Sequence, residues 1–196
     1  MNESQSISNQ KILDELAPRT VRSNLIQVAR AEDLGDGCDV TSAASVPPDQ
    51  RVDIQIGARV SGVICGLSLL EEVLAGFDMA ADVQLAAVDG DRVEAGAVVA
   101  TLTGRHADLL TVERTILNLL GHLSGIATAT RRLVDLVAGT QAAICETRKT
   151  LPGLRGLQKY AVHCGGGRLH RFGLFDAALF KDNHLATMRS LGTDLE

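Results

Sequence analysis

Ala142-Ala143-Ile144-Cys145-Glu146-Thr147-Arg148-Lys149-Thr150 is the stretch on which the fold turns. Its first four residues form a short apolar run bounded by polar neighbours, the pattern of a strand buried in a parallel sheet. The rest of the stretch is dense in charge. Downstream, Leu154 to His163 has helical character and closes on Cys164-Gly165-Gly166-Gly167, a glycine-rich stop of the kind that ends helices. Ala177-Ala178-Leu179-Phe180 then repeats the short apolar run, and Lys181-Asp182-Asn183-His184 repeats the polar ending. Strand, helix, strand is a βαβ unit, and in barrels built from such units the chemistry lies just past the C-terminal ends of the strands. The two polar endings are therefore the candidate site.

Upstream of this unit, Leu109, Val112, Ile116, Leu119, Leu120 and Leu123 recur at helical spacing, and Ile126, Thr130, Leu133 and Val137 resume it after Ser124-Gly125. Two helices, or one broken helix, are expected. The texture differs before Gly104. Val52, Ile54 and Ile56 alternate as in a strand, Ser61 to Gly66 reads as a second, and Leu69 to Phe77 returns to helical spacing. Further strands are expected from Val83 to Leu102, with Asp89-Gly90 as a turn, and a short amphipathic helix over Val21 to Asp33. The fold class expected is α/β: a flexible tail over 1–20, a small sandwich-like mixed α/β domain over 21–104, and an incomplete (β/α) barrel over 105–196.

Charge narrows the function. The chain carries a net −5 with 45% hydrophobic residues, which argues against a general nucleic-acid or membrane-surface binder. Its apolar stretches are interrupted long before the roughly 18 residues a membrane span needs, and the N-terminus lacks the basic-then-apolar order of a signal peptide. A cytoplasmic location is expected. Cys38, Cys65, Cys145 and Cys164 show no metal-ligand spacing and read as small core residues or bystanders. Between Glu146 and His184, however, seven Lys or Arg face three acids, leaving the remainder of the chain at −9. An island of cations in an anionic chain suits a compact polyanion. Solvated helix faces are the competing reading for Arg155 and Lys159.

Thr147-Arg148-Lys149 offers a hydroxyl, a planar guanidinium fork and an ammonium, a set that binds carboxylate and phosphate oxygens; a charged surface loop uses the same residues. Lys181, at the end of an apolar strand, fits an activated amine, a Schiff-base nucleophile or an electrostatic clamp. Gly165 to Gly167 leads into Arg168-Leu169-His170-Arg171, where backbone can approach a phosphate and the flanking cations can close over it.

Taken together these segments resemble one family. Glu113-Arg114-Thr115 with Asn118-Leu119-Leu120 and Leu123 to Thr128, Thr147-Arg148-Lys149-Thr150 with Pro152-Gly153-Leu154-Arg155, Gly165-Gly166-Gly167 with His170-Arg171, and Lys181-Asp182-Asn183-His184 stand in the order and spacing of quinolinate phosphoribosyltransferase. Glu32 to Gly37 with Asp39-Val40-Thr41-Ser42 resembles that family's opening, so the likeness runs from about Val21 to His184. It implies a homodimer-based enzyme that joins quinolinate to phosphoribosyl pyrophosphate, with loss of CO2, in NAD biosynthesis. Arg148, His170 and Arg171 would hold the quinolinate carboxylates, with Thr147 beside them. Lys149 and Lys181 would serve the phosphoribosyl donor and developing charge, and Arg114 would reach a neighbouring subunit's site. Mg2+ would accompany phosphoribosyl pyrophosphate.

The sequence departs from the family at Leu169, where a polar residue is usual, and at Cys145-Glu146, which replaces an aliphatic-Asp lead. The family's later acidic segment for the Mg-pyrophosphate group has no counterpart after His184, so the expected chain stops partway through a barrel that takes about 250 residues, and no metal ligand is assigned. A phosphoribosyltransferase is the first reading, with activity of these 196 residues alone left open. A catalytically inactive assembly subunit is the second. An aldolase-like fragment with Lys181 as Schiff base is the third, separable by borohydride trapping.

Overall fold

The computed structural model describes residues 3–192; residues 1–2 of the expected tail and 193–196 of the expected second domain lie outside it. In chain order the first elements are helices α1 (Glu3–Leu16), α2 (Arg19–Leu34) and α3 (Val40–Ser45), strands β1 (Arg51–Gly57) and β2 (Gly62–Val63), and helix α4 (Leu70–Gly76). Strands β3 (Ala81–Leu85), β4 (Arg92–Val93) and β5 (Val98–Arg105) come next, and then helices α5 (His106–Leu136), α6 (Arg155–Cys164) and α7 (Asp182–Ser190).

Alternation in β1 turns Val52, Ile54 and Ile56 toward the core and leaves Arg51, Asp53 and Gln55 in water, as a half-buried strand should. β5 lies between β1 and β3 and pairs antiparallel with both, Leu102 standing opposite Ile54 on one side and Val83 on the other. One face of this sheet packs on Leu70, Val73, Leu74 and Phe77 around α4 and on Leu109, Val112 and Ile116 of α5. β2 and β4 form a separate two-stranded pair.

α5 is continuous over 31 residues; the expected break at Ser124-Gly125 does not occur. The hydroxyls there bond outward to β2 and the residues just after it: Val63 N donates to Thr128 Oγ1 at 2.9 Å and Cys65 N to Ser124 Oγ at 2.9 Å. Side chains that compete with helix elsewhere here supply acceptors to those amides. α5 thereby joins two cores, with Leu109 to Leu120 in the first and Leu123 and Ala127 in the second.

That second core corrects the expectation of a frayed tail. Leu13 and Ala17 are fully buried against Leu157, Tyr160 and Ala161 of α6, and Asn9 Nδ2 donates to the Asp89 carbonyl at 2.5 Å. The polar residues at the very start masked one apolar stripe whose partner lies some 140 residues on, at a distance local pattern cannot see. Gly156 permits the contact, because a Cβ there would overlap the Leu16 carbonyl. Gly156→Ala is expected to lose about 1–3 kcal/mol in urea unfolding. Gly121→Ala, in open space on α5, should gain up to about 1 kcal/mol.

Neither expected barrel strand forms. Ala142, Ala143 and Cys145 are exposed, and their single pairing is a parallel bridge from Cys145 to Arg168, with Arg168 N donating to Ile144 O at 2.8 Å. Ala177 to Phe180 is exposed and carries no strand pairing, Leu179 and Phe180 being 47% and 49% exposed. An apolar run becomes a buried strand only when neighbours pair with both its edges and helices cover both faces; among the described residues the only pairing of these runs is the Cys145–Arg168 bridge. The chain's return beside residue 145 comes at Arg168, in a segment with no apolar run to announce it.

Among the described residues no helix is long and apolar enough to cross a membrane. Cys65 is buried, Cys164 half-buried, and Cys38 and Cys145 exposed. Burial, with Cys164 and Asp89 nearby, pushes the Cys65 thiol far up, so it stays protonated and unreactive.

Candidate functional site

Glu146 and Lys159 organise the region where the site was sought. Lys159 sits on the inner side of α6 with its side chain 1% exposed, and the Glu146 side chain is 4% exposed. The sequence had offered a solvated helix face for Lys159, and the structure overturns that reading. A buried ammonium is tolerated only when a countercharge and acceptors meet its protons. Glu146 Oε1 accepts from Lys159 Nζ, and Nζ donates further to His170 O at 3.2 Å and Arg171 O at 3.0 Å. The same Glu146 oxygen accepts from His170 N at 2.7 Å, and Nζ lies 5.9 Å from the Phe172 ring centroid.

This knot sews residues 144–149 to 168–172. Thr147 is exposed, and its hydroxyl accepts from Lys149 N at 3.2 Å, tightening the loop. Arg148 is half-buried, with an Nε that is shielded and unbonded within the described chain. Lys149 and His170 are exposed, and Arg171 donates through Nη1 to Ala177 O at 2.7 Å. Five predicted residues, Thr147, Arg148, Lys149, His170 and Arg171, thus stand on adjoining segments. The other two, Lys181 and Arg114, lie on other elements. Lys181 is exposed at the start of α7, its backbone N donating to His184 Nδ1 at 3.0 Å, and Arg114 is exposed on α5. No hydrogen bond or ion pair among the described residues joins either to the five.

Two surface clefts are also present. One is lined along α1 by Gln10, Lys11 and Asp14 and the other by Leu16, Leu151, Arg155 and Phe172; none of the seven predicted residues lines either. The triglycine is occupied largely with packing, since Gly165 abuts the Ala127 carbonyl and Thr130 of α5 closely enough to exclude a Cβ, and only Gly166 is exposed. Among the described residues no group of three His, Cys, Asp or Glu is arranged to hold a metal ion.

Reasoning from sequence missed Glu146 and Lys159 as organisers, and it missed Asp89. The Asp89 carboxylate is 2% exposed and accepts from Gly66 N at 2.7 Å, Leu67 N at 2.8 Å, Ser68 Oγ at 2.9 Å and Tyr160 OH at 2.9 Å. The available signal was Lys159 lying between Leu157 and the Tyr160-Ala161 pair on an amphipathic helix, an odd place for an unpaired charge.

The architecture is that of an α/β chain in which an antiparallel sheet domain is followed, across one long helix, by two further helices and the cationic segments 146–149 and 168–171. The family model described as "Quinolinate phosphoribosyl transferase, N-terminal domain" matches residues 39–124, and the one for the family's C-terminal domain matches 126–195. The chain belongs to the quinolinate phosphoribosyltransferase family. It is 48% identical over 172 residues to the nicotinate-nucleotide pyrophosphorylase [carboxylating] of Mycobacterium leprae, covering 85% of this chain and 59% of that protein. A probable enzyme of the same name from Bacillus subtilis is 45% identical over 82% of this chain and 55% of its own length. The solved nicotinate-nucleotide pyrophosphorylase of Francisella tularensis superposes with a TM-score of 0.82 at 38% identity, over 87% of this chain and 60% of that one. The chain thus spans between a half and two thirds of these relatives' length.

Proposed function

We propose that residues 146–171 supply the carboxylate-binding cations of a quinolinate phosphoribosyltransferase, in which quinolinate and phosphoribosyl pyrophosphate yield nicotinate mononucleotide, CO2 and pyrophosphate. The observation that carries the reading is the Glu146–Lys159 knot, which in a member of this family holds the Arg148 and Arg171 segments side by side. Quinolinate has two adjacent carboxylates. Arg148, with a shielded Nε awaiting an acceptor, would take one through its fork, and His170 and Arg171 the other, with Thr147 alongside. Cations held here also stabilise the charge left on the ring as CO2 departs. Lys149 would meet the phosphoribosyl donor, and Lys181 would join it only if its segment closes over the site.

Mg2+ would arrive with the pyrophosphate group; the described residues do not by themselves form a site for it. Homodimeric assembly, with the exposed Arg114 reaching a partner's site, and a cytoplasmic location belong to the same reading.

Titration with quinolinate, followed by amide NMR, tests the reading. Shifts are expected at Arg148, His170 and Arg171 with a dissociation constant near ~1 mM, about 4 kcal/mol of binding. Nicotinate, which lacks one carboxylate, should bind roughly tenfold more weakly, the worth of about one charge-assisted contact. Shifts confined to other regions would remove the basis for the assignment.

A further inference from the structure

We infer that Lys159 and Glu146 are positioning residues for dicarboxylate recognition, setting the spacing between the two carboxylate sites without touching the ligand. The inference rests on the functional reading above and extends it to two residues with no assigned role.

Lys159 cannot meet a ligand. Its side chain is 1% exposed, and its ammonium has three partners within the chain: Glu146 Oε1, His170 O and Arg171 O. Glu146 Oε1 takes the His170 amide as well, at 2.7 Å. Both polar edges of the main chain at His170 are therefore occupied, and so is the Arg171 carbonyl. With this main chain pinned, the groups that would face a ligand are the two side chains, Arg171 being steadied at Nη1 by Ala177 O. At the other end of the knot, Glu146 lies two residues before Arg148 and is tied through its own N to Arg168 O at 3.4 Å. The buried ion pair, added to the backbone bonds between Ile144, Glu146 and Arg168, thereby sets how far the Arg148 fork stands from His170 and Arg171. That separation must match the two carboxylates of one small ring, and a misplacement of about 1 Å between such groups can cost as much as ~100-fold.

A purely structural ion pair and a positioning pair differ in what they do to selectivity. Loss of stability alone lowers the affinity for mono- and dicarboxylates together. Loss of spacing removes the advantage of the second carboxylate. The experiment is an NMR titration of the 196-residue chain and of its Glu146→Gln/Lys159→Met double variant with quinolinate and with nicotinate. The double change leaves no orphaned charge and roughly preserves volume, so it is expected to fold. The unaltered chain should prefer quinolinate roughly tenfold, and in the double variant the preference should fall to about twofold or less, mainly through weaker quinolinate binding. A folded double variant that keeps the full preference overturns the inference. Should that variant fail to fold, Glu146→Asp takes its place, keeping the ion pair but shortening the tether by one methylene, with the same expected collapse, and an undiminished ratio there is equally fatal. An unaltered chain with no preference for quinolinate would instead defeat the functional reading, and this inference with it.

Discussion

Replacing Asp89 by alanine is expected to remove about 3–5 kcal/mol of stability, among the largest losses any single substitution in this chain should produce. The carboxylate is the common acceptor for two backbone amides, a serine hydroxyl and the Tyr160 phenol, all within 2.9 Å. Deleting it strands several donors out of water, and each buried orphan costs about 1–3 kcal/mol. The loss also separates elements far apart in sequence, since Gly66 and Leu67 lead into α4 and Tyr160 belongs to α6. Asp89→Asn should lose less, because one acceptor oxygen remains. Chemical denaturation measures both, and a loss under ~1 kcal/mol for alanine would show that water replaces the carboxylate.

The same contact carries a pH dependence. Burial first, and then the neighbouring Asp89 charge, push the Tyr160 phenol far above its ordinary value. A group whose pKa is raised on folding contributes stability that is present below its unfolded pKa, about 10 for tyrosine, and lost as pH climbs beyond it. Stability is therefore expected to decline above about pH 10, and Tyr160→Phe should flatten that decline at a cost near ~1 kcal/mol at neutral pH.

Lys159→Met is the second large effect, at about 3–5 kcal/mol. Methionine fills the volume, so the loss measures Glu146 left 4% exposed without its countercharge. Adding Glu146→Gln should recover roughly half of it. Thermal or urea unfolding of the single and double variants closes the cycle. Strict additivity of the two substitutions would contradict a direct ionic coupling.

What the sequence made legible was local or came through the family's spacing. The β1 alternation, the helical stripe of α5 and the glycine-ended α6 are periodic signals that tertiary structure had no reason to override. The helix over Glu3–Leu16 was not legible, because its stripe is meaningful only against α6. Ala142–Cys145 and Ala177–Phe180 misled for the converse reason. A short apolar run states that a strand would be buried if neighbours paired with it, and the pairing itself is non-local. Charged residue types picked out Thr147 through Lys149 and His170 with Arg171, two segments that the Glu146–Lys159 pair holds beside one another. The burial of Lys159 was signalled only by its place between Leu157 and Tyr160-Ala161 on the apolar face, because lysine on an amphipathic helix is ordinarily solvated.

The most direct measurement is a crystal structure of the chain soaked with quinolinate. One carboxylate is predicted on the Arg148 guanidinium and the other on His170 and Arg171, with the Glu146–Lys159 pair intact behind them. Quinolinate bound instead in the cleft beside Leu151, Arg155 and Phe172, or its density absent from the 146–171 segment at saturating concentration, would contradict the assignment of these cations to a shared dicarboxylate site.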